Sequence, residues 1–382
     1  MNLSWINRQL MVALAIGSIG LVVFGVQPLL YGAYVNEGRV TEGGLGLLAA
    51  VEIAAIALSS GLGITLIKRV PVWQVVALGI TLMFAGNLLP ESFSLYFARG
   101  MAGVGGGLLV ALAAQSIATR HNVNAASGAF LFFQSLTQFF ILQWFSIGTH
   151  FAGSIQIERI LAGLALAMFL LLPLLPKGGE ADYPLQEALT NGTRMPASGL
   201  FSLVAAGLFQ GSAVGLWAYL GLWLQSRGVP ADSIAPALTA SMVGQMAGAL
   251  IAAALGHRAH STSQVVVAAV VLLATVGGFV VFGGTGPAGW LLVVAFGVAW
   301  MVATPTLAGF VRDVDTTRRS LPYLSTAQLL GAASLPTLVG LMVSDIGLDG
   351  VMLTCGIGTV VSIIAVTAAY LSRPRQVVPG GS

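Results

Sequence analysis

Residues 161–175 read LAGLALAMFLLLPLL, a run with no charge and no alternating polar position. The strands of a membrane barrel would alternate apolar and polar residues over about ten positions. This run is apolar on every side, so the spanning element it supports is a helix, whose backbone groups are satisfied internally. Eleven further stretches of this kind fill the chain, giving twelve near residues 11–33, 44–66, 72–90, 93–119, 126–148, 157–176, 199–225, 232–254, 263–283, 287–311, 321–345 and 350–372. Each is close to the roughly 20 residues that cross a hydrocarbon core.

Composition agrees. Of 382 residues, 57% are hydrophobic and 8% charged, with a mean hydropathy of +0.91. That is too little polar surface to coat a water-soluble globule of this size, so the lipid bilayer is the expected solvent. Twelve of the 16 Lys and Arg residues fall on the side that holds both termini, with Arg39, Arg159 and Arg227 opposite and Arg99 inside a span. Short loops biased in this way face the cytoplasm, which predicts cytoplasmic termini. The same bias explains a pI of about 9.2 and leaves nothing that points to nucleic acid. The segment 1–35 has a charged start and an apolar run without a small-residue cleavage site, and reads as a retained first helix. The lone Cys355 excludes an internal disulfide and is expected to pack in the last helix.

Residues 177–198 form the one long polar segment. They divide the sequence into six-span units at 1–176 and 199–382, joined by a cytoplasmic linker. A shift of 190 positions superposes the two: Gly38 on Gly228, Glu42 on Asp232, Lys68 on Arg258, Gln74 on Gln264, Ser135 on Ser325 and Gln138 on Gln328. The expected fold is an all-α membrane protein with twelve transmembrane helices in two pseudo-symmetric six-helix bundles. A parallel six-helix repeat with a site near the midplane is the plan of an alternating-access carrier.

In the fourth span, Arg99, Gly103, Gly105 and Gly107 are similar to the arginine-plus-glycine signature of the major facilitator superfamily. Gly63, Lys68 and Arg69 resemble a worn version of its second-to-third loop motif, without that motif's acidic residue. The sequence resembles this superfamily along nearly its whole length. The resemblance implies a secondary active transporter, no enzyme and no cofactor, working as a monomer in a bacterial-type inner membrane on a small-molecule substrate. It also ties Arg99 to coupling with a proton. Multidrug or metabolite efflux stays open as an alternative, although residues 126–147 lack the Gly-Pro pair of drug/proton antiporters.

Two ionisable residues are read as lying well inside the hydrocarbon, Glu52 in the second span and Arg99 in the fourth. Burying either costs several kcal/mol without a partner, and their similar depth below the far interface predicts that they meet. The pair is either a static tie between helices or a proton switch centred on Glu52. At the offset of 190, Glu52 corresponds to Met242, so the fold does not require the charge. Neutral polar and aromatic residues mark the predicted cavity faces: Gln27 and Tyr31 in the first span, Gln134, Gln138 and Phe145 in the fifth, Gln210 and Trp217 in the seventh, and Gln328 in the eleventh. Their amides and rings suit a small amphipathic or partly aromatic solute. Met242 and Met246, one turn apart, offer thioethers to Cu(I), but adaptable core filling is the commoner use of methionine. No phosphate loop or metalloprotease helix is present, and no charged ring or carbonyl filter marks a channel.

Overall fold

The computed structural model describes residues 8–118, 120, 123–147, 153–175, 195–255 and 260–373. The first span is broken into α1 (Arg8–Gly20) and α2 (Val22–Asn36). The rest of the amino-terminal unit is α3 (Glu42–Ile67), α4 (Val72–Leu88), α5 (Leu95–Ala118), α6 (Val123–Ile147) and α7 (Ser154–Ala167), the last extended by a 3-10 turn over Met168–Leu174. The second unit is α8 (Ala197–Ser226), α9 (Ala231–Leu255), α10 (Ser261–Phe282), α11 (Gly286–Val314), α12 (Leu324–Ile346) and α13 (Asp349–Leu371). Among the described residues, eleven spans are long and apolar enough to cross a membrane. The twelfth, α4, has 17 residues and reaches about 25 Å at the helical rise. Each expected stretch falls on one of these spans, and the helix after the linker starts at Ala197. The rest of the linker, apart from Met195 and Pro196, lies outside the described residues.

Apolar side chains cover the outside of the bundle. Trp144 is 72% exposed, Val281 74% and Leu170 79%, surfaces that in water would form a large apolar patch. The chain is an integral membrane protein.

The two bundles repeat each other's packing. In the first, α5 lies against α3 and α4; in the second, α11 lies against α9 and α10. Between bundles, α3 meets α12, α9 meets α6, and α2 crosses α8. The first four spans of each bundle start within one residue of the 190 offset. The turns after α2 and α8 both carry a left-handed glycine, Gly38 with φ 70° and Gly228 with φ 80°, a conformation only glycine adopts freely. The offset then fails at the fifth span. Helix α11 has 29 residues against 24 in α5, and nine residues separate α11 from α12 against four between α5 and α6, so Gln138 lies in the second half of α6 while Gln328 lies in the second turn of α12. Their pairing by offset, and that of buried Ser135 with exposed Ser325, is therefore corrected: they sit at different depths.

The added residues have a structural task. Asp315, fully buried just past α11, accepts from Thr317 N (2.9 Å) and Oγ1 (2.6 Å) and from Ser320 N (2.8 Å) and Oγ (2.5 Å). Burial pushes its carboxyl up, but the bonds from Ser320 and Thr317 outweigh burial and hold it below the ordinary carboxylate range.

The bundles close on each other at the end remote from both chain ends. A Cβ on Gly46 would lie 2.0 Å from the Pro336 carbonyl oxygen, and one on Gly340 2.3 Å from the Gly43 oxygen, so bare glycines let α3 and α12 touch. Asn36 Nδ2 donates to Gln225 Oε1 at 3.2 Å, Tyr219 donates to the Glu42 carbonyl at 3.0 Å, and Ser146 and Thr239 hydroxyls lie 3.3 Å apart. We refer to this end as the far side.

Gly46→Leu is expected to wedge α3 from α12 and open the far side. Cysteines placed at Asn36 and Gln225 in a Cys355→Ala background would then lose most of their cross-linking by a short bismaleimide, whereas unchanged yield would contradict the closure. For Asp315→Asn, a loss of about 1–3 kcal/mol is expected. Because the folded carboxyl titrates below its unfolded value of about 3.9, that contribution is complete above this pH and fades as pH falls through the lower folded value. Thermal unfolding of parent and variant should therefore converge in acid.

Candidate functional site

Glu52 leaves α3 where α5 comes closest. A Cβ on Gly103 would sit 2.6 Å from the Glu52 carbonyl oxygen, and one on Gly107 2.3 Å from the Ile56 oxygen. The absence of side chains there sets the spacing of the two helices. One turn before Gly103, Arg99 directs Nη2 to Glu52 Oε1 in an ion pair whose side chains are both 1% exposed. Its Nη1 donates to Asn87 Oδ1 at 2.7 Å. Asn87, in the last turn of α4, is fixed by its own bond to the Met83 carbonyl at 2.7 Å. From α2, Tyr31 donates its hydroxyl to Glu52 Oε2 at 2.8 Å and accepts from Gln27 Nε2 at 3.0 Å. Four elements thus converge on one ion pair, and Arg99 Nε and Gln27 Oε1 remain without a partner. Protonating Glu52 would cancel the charge that Arg99 and Tyr31 both address, leaving the guanidinium with only a neutral amide.

The second bundle presents rings rather than charges. Trp217 on α8 stacks on Phe296 of α11 (6.0 Å between centroids, 14°), and Trp300 packs against both at 6.3 and 5.6 Å. Trp217 Nε1 donates across the bundles to the Phe24 carbonyl. That oxygen is free because Pro28, four residues on, has no N–H to give it. Beside the rings, Thr304 Oγ1 donates to Gln210 Oε1 at 3.4 Å, and Trp300 Nε1 has no partner.

Among solved structures, the chain is similar to a bacterial homologue of the human lysosomal transporter Spinster in an inward-facing, unoccupied conformation, with 14% identity, coverage of 97% of this chain and 98% of that one, and a TM-score of 0.70. It is similar to the nucleoside transporter NupG, with 12% identity, coverage of 96% and 100%, and a TM-score of 0.75. It is also similar to a D-xylose-proton symporter, with 14% identity, coverage of 96% and 97%, and a TM-score of 0.70. No family model and no curated protein matches the sequence. The chain has the fold of the major facilitator superfamily.

Within that superfamily fold, the residues expected from sequence divide into three groups. Glu52, Arg99, Gln27 and Tyr31 form the single cluster just described. Gln138 is buried on α6 and donates to the Leu21 carbonyl at 2.9 Å, capping the break between α1 and α2. Gln134, one turn earlier, is also buried. Phe145 is half-buried near the far end of α6, Gln210 is half-buried on α8 and Trp217 fully buried beside it. Gln328 is half-buried in the second turn of α12, a correction to its expected midplane depth. Met242 is 1% exposed, and among the described residues no group of three His, Cys, Asp or Glu could hold a metal.

Sequence reasoning missed Glu158. It is 7% exposed on α7 and paired with Arg39, so Glu52 and Arg99 are not the only buried ionisable residues. The available signal was Arg39, a cation on the side where cations are scarce, in reach of a carboxylate one turn into the sixth span.

Arg99→Leu alone, and Glu52→Met alone, should each cost about 3–5 kcal/mol by stranding the other charge. The double replacement is expected to recover most of that loss. Chemical unfolding in detergent would read it, and additive single-variant losses would contradict the pairing.

Proposed function

We propose that the protein is a secondary active transporter for a small organic solute, working by alternating access and driven by protons taken up at Glu52. The single observation that carries this reading is the hydrogen-bonded ion pair of Glu52 and Arg99, fully buried and tied through Tyr31 to α2, the helix that crosses α8 of the other bundle. A charge pair so placed senses both the proton and the relative position of the bundles. Neutralising Glu52 removes the partner of Arg99, and the bonds that hold α2 to α3 weaken with it. Binding of the proton and movement of α2 against α8 are thereby linked, as a coupled carrier requires.

The solute reading rests on the second bundle. The flat faces of Trp217, Phe296 and Trp300 favour a ring or an apolar plate, and Gln210 with Thr304 supplies amide and hydroxyl groups beside them. With Arg99 held by Glu52, no spare cation is there to clamp a dianion, which favours neutral or singly charged solutes. A nucleoside transporter and a D-xylose-proton symporter are among the similar structures, in keeping with a small organic solute. The cation bias of the loops supports insertion in a bacterial-type inner membrane with both chain ends in the cytoplasm, which would make the far side the outside and the conformation described an inward-facing one.

A solute is found first by thermal-shift measurements against neutral metabolites, since a ligand at about 100 times its Kd stabilises by about 2.7 kcal/mol. Glu52→Gln keeps the shape and removes the titration. In proteoliposomes it should bind that solute and exchange it across the membrane but lose accumulation against a gradient. Accumulation equal to the parent's would refute proton uptake at Glu52 and leave the static pair.

A further inference from the structure

Glu158 is a buried carboxylate that the mechanism above does not use. Its Oε1 accepts the Tyr34 hydroxyl at 2.7 Å and its Oε2 accepts Arg39 Nη1 at 3.2 Å. The same nitrogen of Arg39 donates to Ser154 Oγ at 2.6 Å, and the guanidinium lies 4.9 Å from the centre of the Tyr34 ring. Ser154 in turn gives its backbone N–H to Glu37 Oε1 at 2.7 Å and its hydroxyl to Oε2. Glu37 is exposed and the Arg39 side chain is 16% exposed, so the network reaches the far-side surface. Inward, Tyr34 stacks on Tyr31 with centroids 6.2 Å apart and planes 27° apart. Tyr31 donates to Glu52. Two carboxylates, one at the rim and one deep, therefore each hold the hydroxyl of one member of a stacked tyrosine pair on α2.

The other elements packed on α7 add no competing charge. Helix α4 and the 3-10 turn over Met168–Leu174 contain no ionisable residue, α1 carries only Arg8 at its opposite end, and α2 contributes only the two tyrosines. On α7 itself Arg159 is exposed. Among the described residues, a single cation, Arg39, thus balances Glu158 from the solvent side.

We propose that Glu158 is a second protonation site of the transport cycle, loaded from far-side water, a reading that rests on the proton coupling assigned to Glu52. A proton from that water binds the Glu158 carboxylate and neutralises it. Arg39 then keeps no buried anion and turns to Glu37 and solvent, while the Tyr34 hydroxyl loses its charged acceptor. The tyrosine pair that positions Tyr31 on Glu52 is thereby released from its outer anchor, which links the two sites through α2.

The test needs no solute. The full chain, reconstituted in liposomes with the far side outward, is acidified from outside, and the protonated-carboxyl infrared band is followed by difference spectroscopy. Two buried carboxyl components are expected in the parent. Glu158→Gln should delete one of them, and Glu52→Gln the other. Arg39→Gln with Glu158→Gln removes both charges, and guards against a single variant that does not fold; it should show the same deletion. A parent spectrum indistinguishable from either Glu158 variant would overturn the proposal, because Glu158 would then stay ionised as a fixed partner of Arg39. Loss of the Glu158 component with no component assignable to Glu52 would instead refute the Glu52 reading and leave Glu158 as a proton site.

Discussion

Hydrocarbon cannot solvate the guanidinium of Arg99, and much of the amino-terminal bundle is arranged around that fact. The cation needs an anion, which α3 supplies in Glu52, and a second acceptor, which α4 supplies in Asn87. Both are in reach only because α3, α4 and α5 pack at glycine spacing: Gly103 and Gly107 against α3, Gly105 and Gly79 between α4 and α5. In water a loosened pair would fill with solvent. In lipid it would leave charges uncompensated at a cost of several kcal/mol, so the polar requirement and the close packing enforce each other.

The scaffold is symmetric and its chemistry is not. Glycines recur at the matching crossing of the second bundle, where Gly297 meets Ser241 and Gly244 meets Val294, yet the position equivalent to Glu52 is Met242. At the far-side rim the relation is one of reversed charge. Glu37 ties the turn after α2 to Ser154 at the start of α7, and its mate Arg227 ties the turn after α8 to Asp349 at the start of α13. The second tie is solvent-exposed and worth little in stability, whereas the first leads inward to Glu158. The Asn36 and Gln225 contact joins residues 189 apart, so the closing ends of α2 and α8 meet across the bundles.

What the sequence disclosed follows from which forces are local. Spans are legible because crossing lipid demands a continuous apolar run, and the Glu52 with Arg99 pair because two isolated charges in such runs have few alternatives. Glu158 escaped because it lies one turn from an aqueous boundary, where a carboxylate looks solvated unless one knows that Arg39 and Tyr34 fold over it. The pairing of Gln138 with Gln328 failed for a different reason: an insertion inside a repeat shifts register without disturbing a polar coincidence, and only the depth of each residue in its helix exposes the slip.

Trp217 shows how a residue that reads as a cavity lining acquires a second task. Pro28 interrupts the hydrogen-bond ladder of α2 and frees the Phe24 carbonyl, Gly221 lets α8 lie against Pro28, whose carbonyl oxygen a Cβ there would meet at 2.7 Å, and Trp217 Nε1 fills the vacancy from the opposite bundle. An orphaned carbonyl at that depth costs about 1–3 kcal/mol. Separation of α2 from α8 must therefore hand the Phe24 oxygen to another donor. The same movement uncovers the Nε1 edge of Trp217, while its stack on Phe296 and Trp300 lies wholly within the second bundle. One proline thus makes the meeting of α2 with α8 a hydrogen-bonded seam, whose acceptor comes from the first bundle and whose donor is held in place by the aromatic stack of the second.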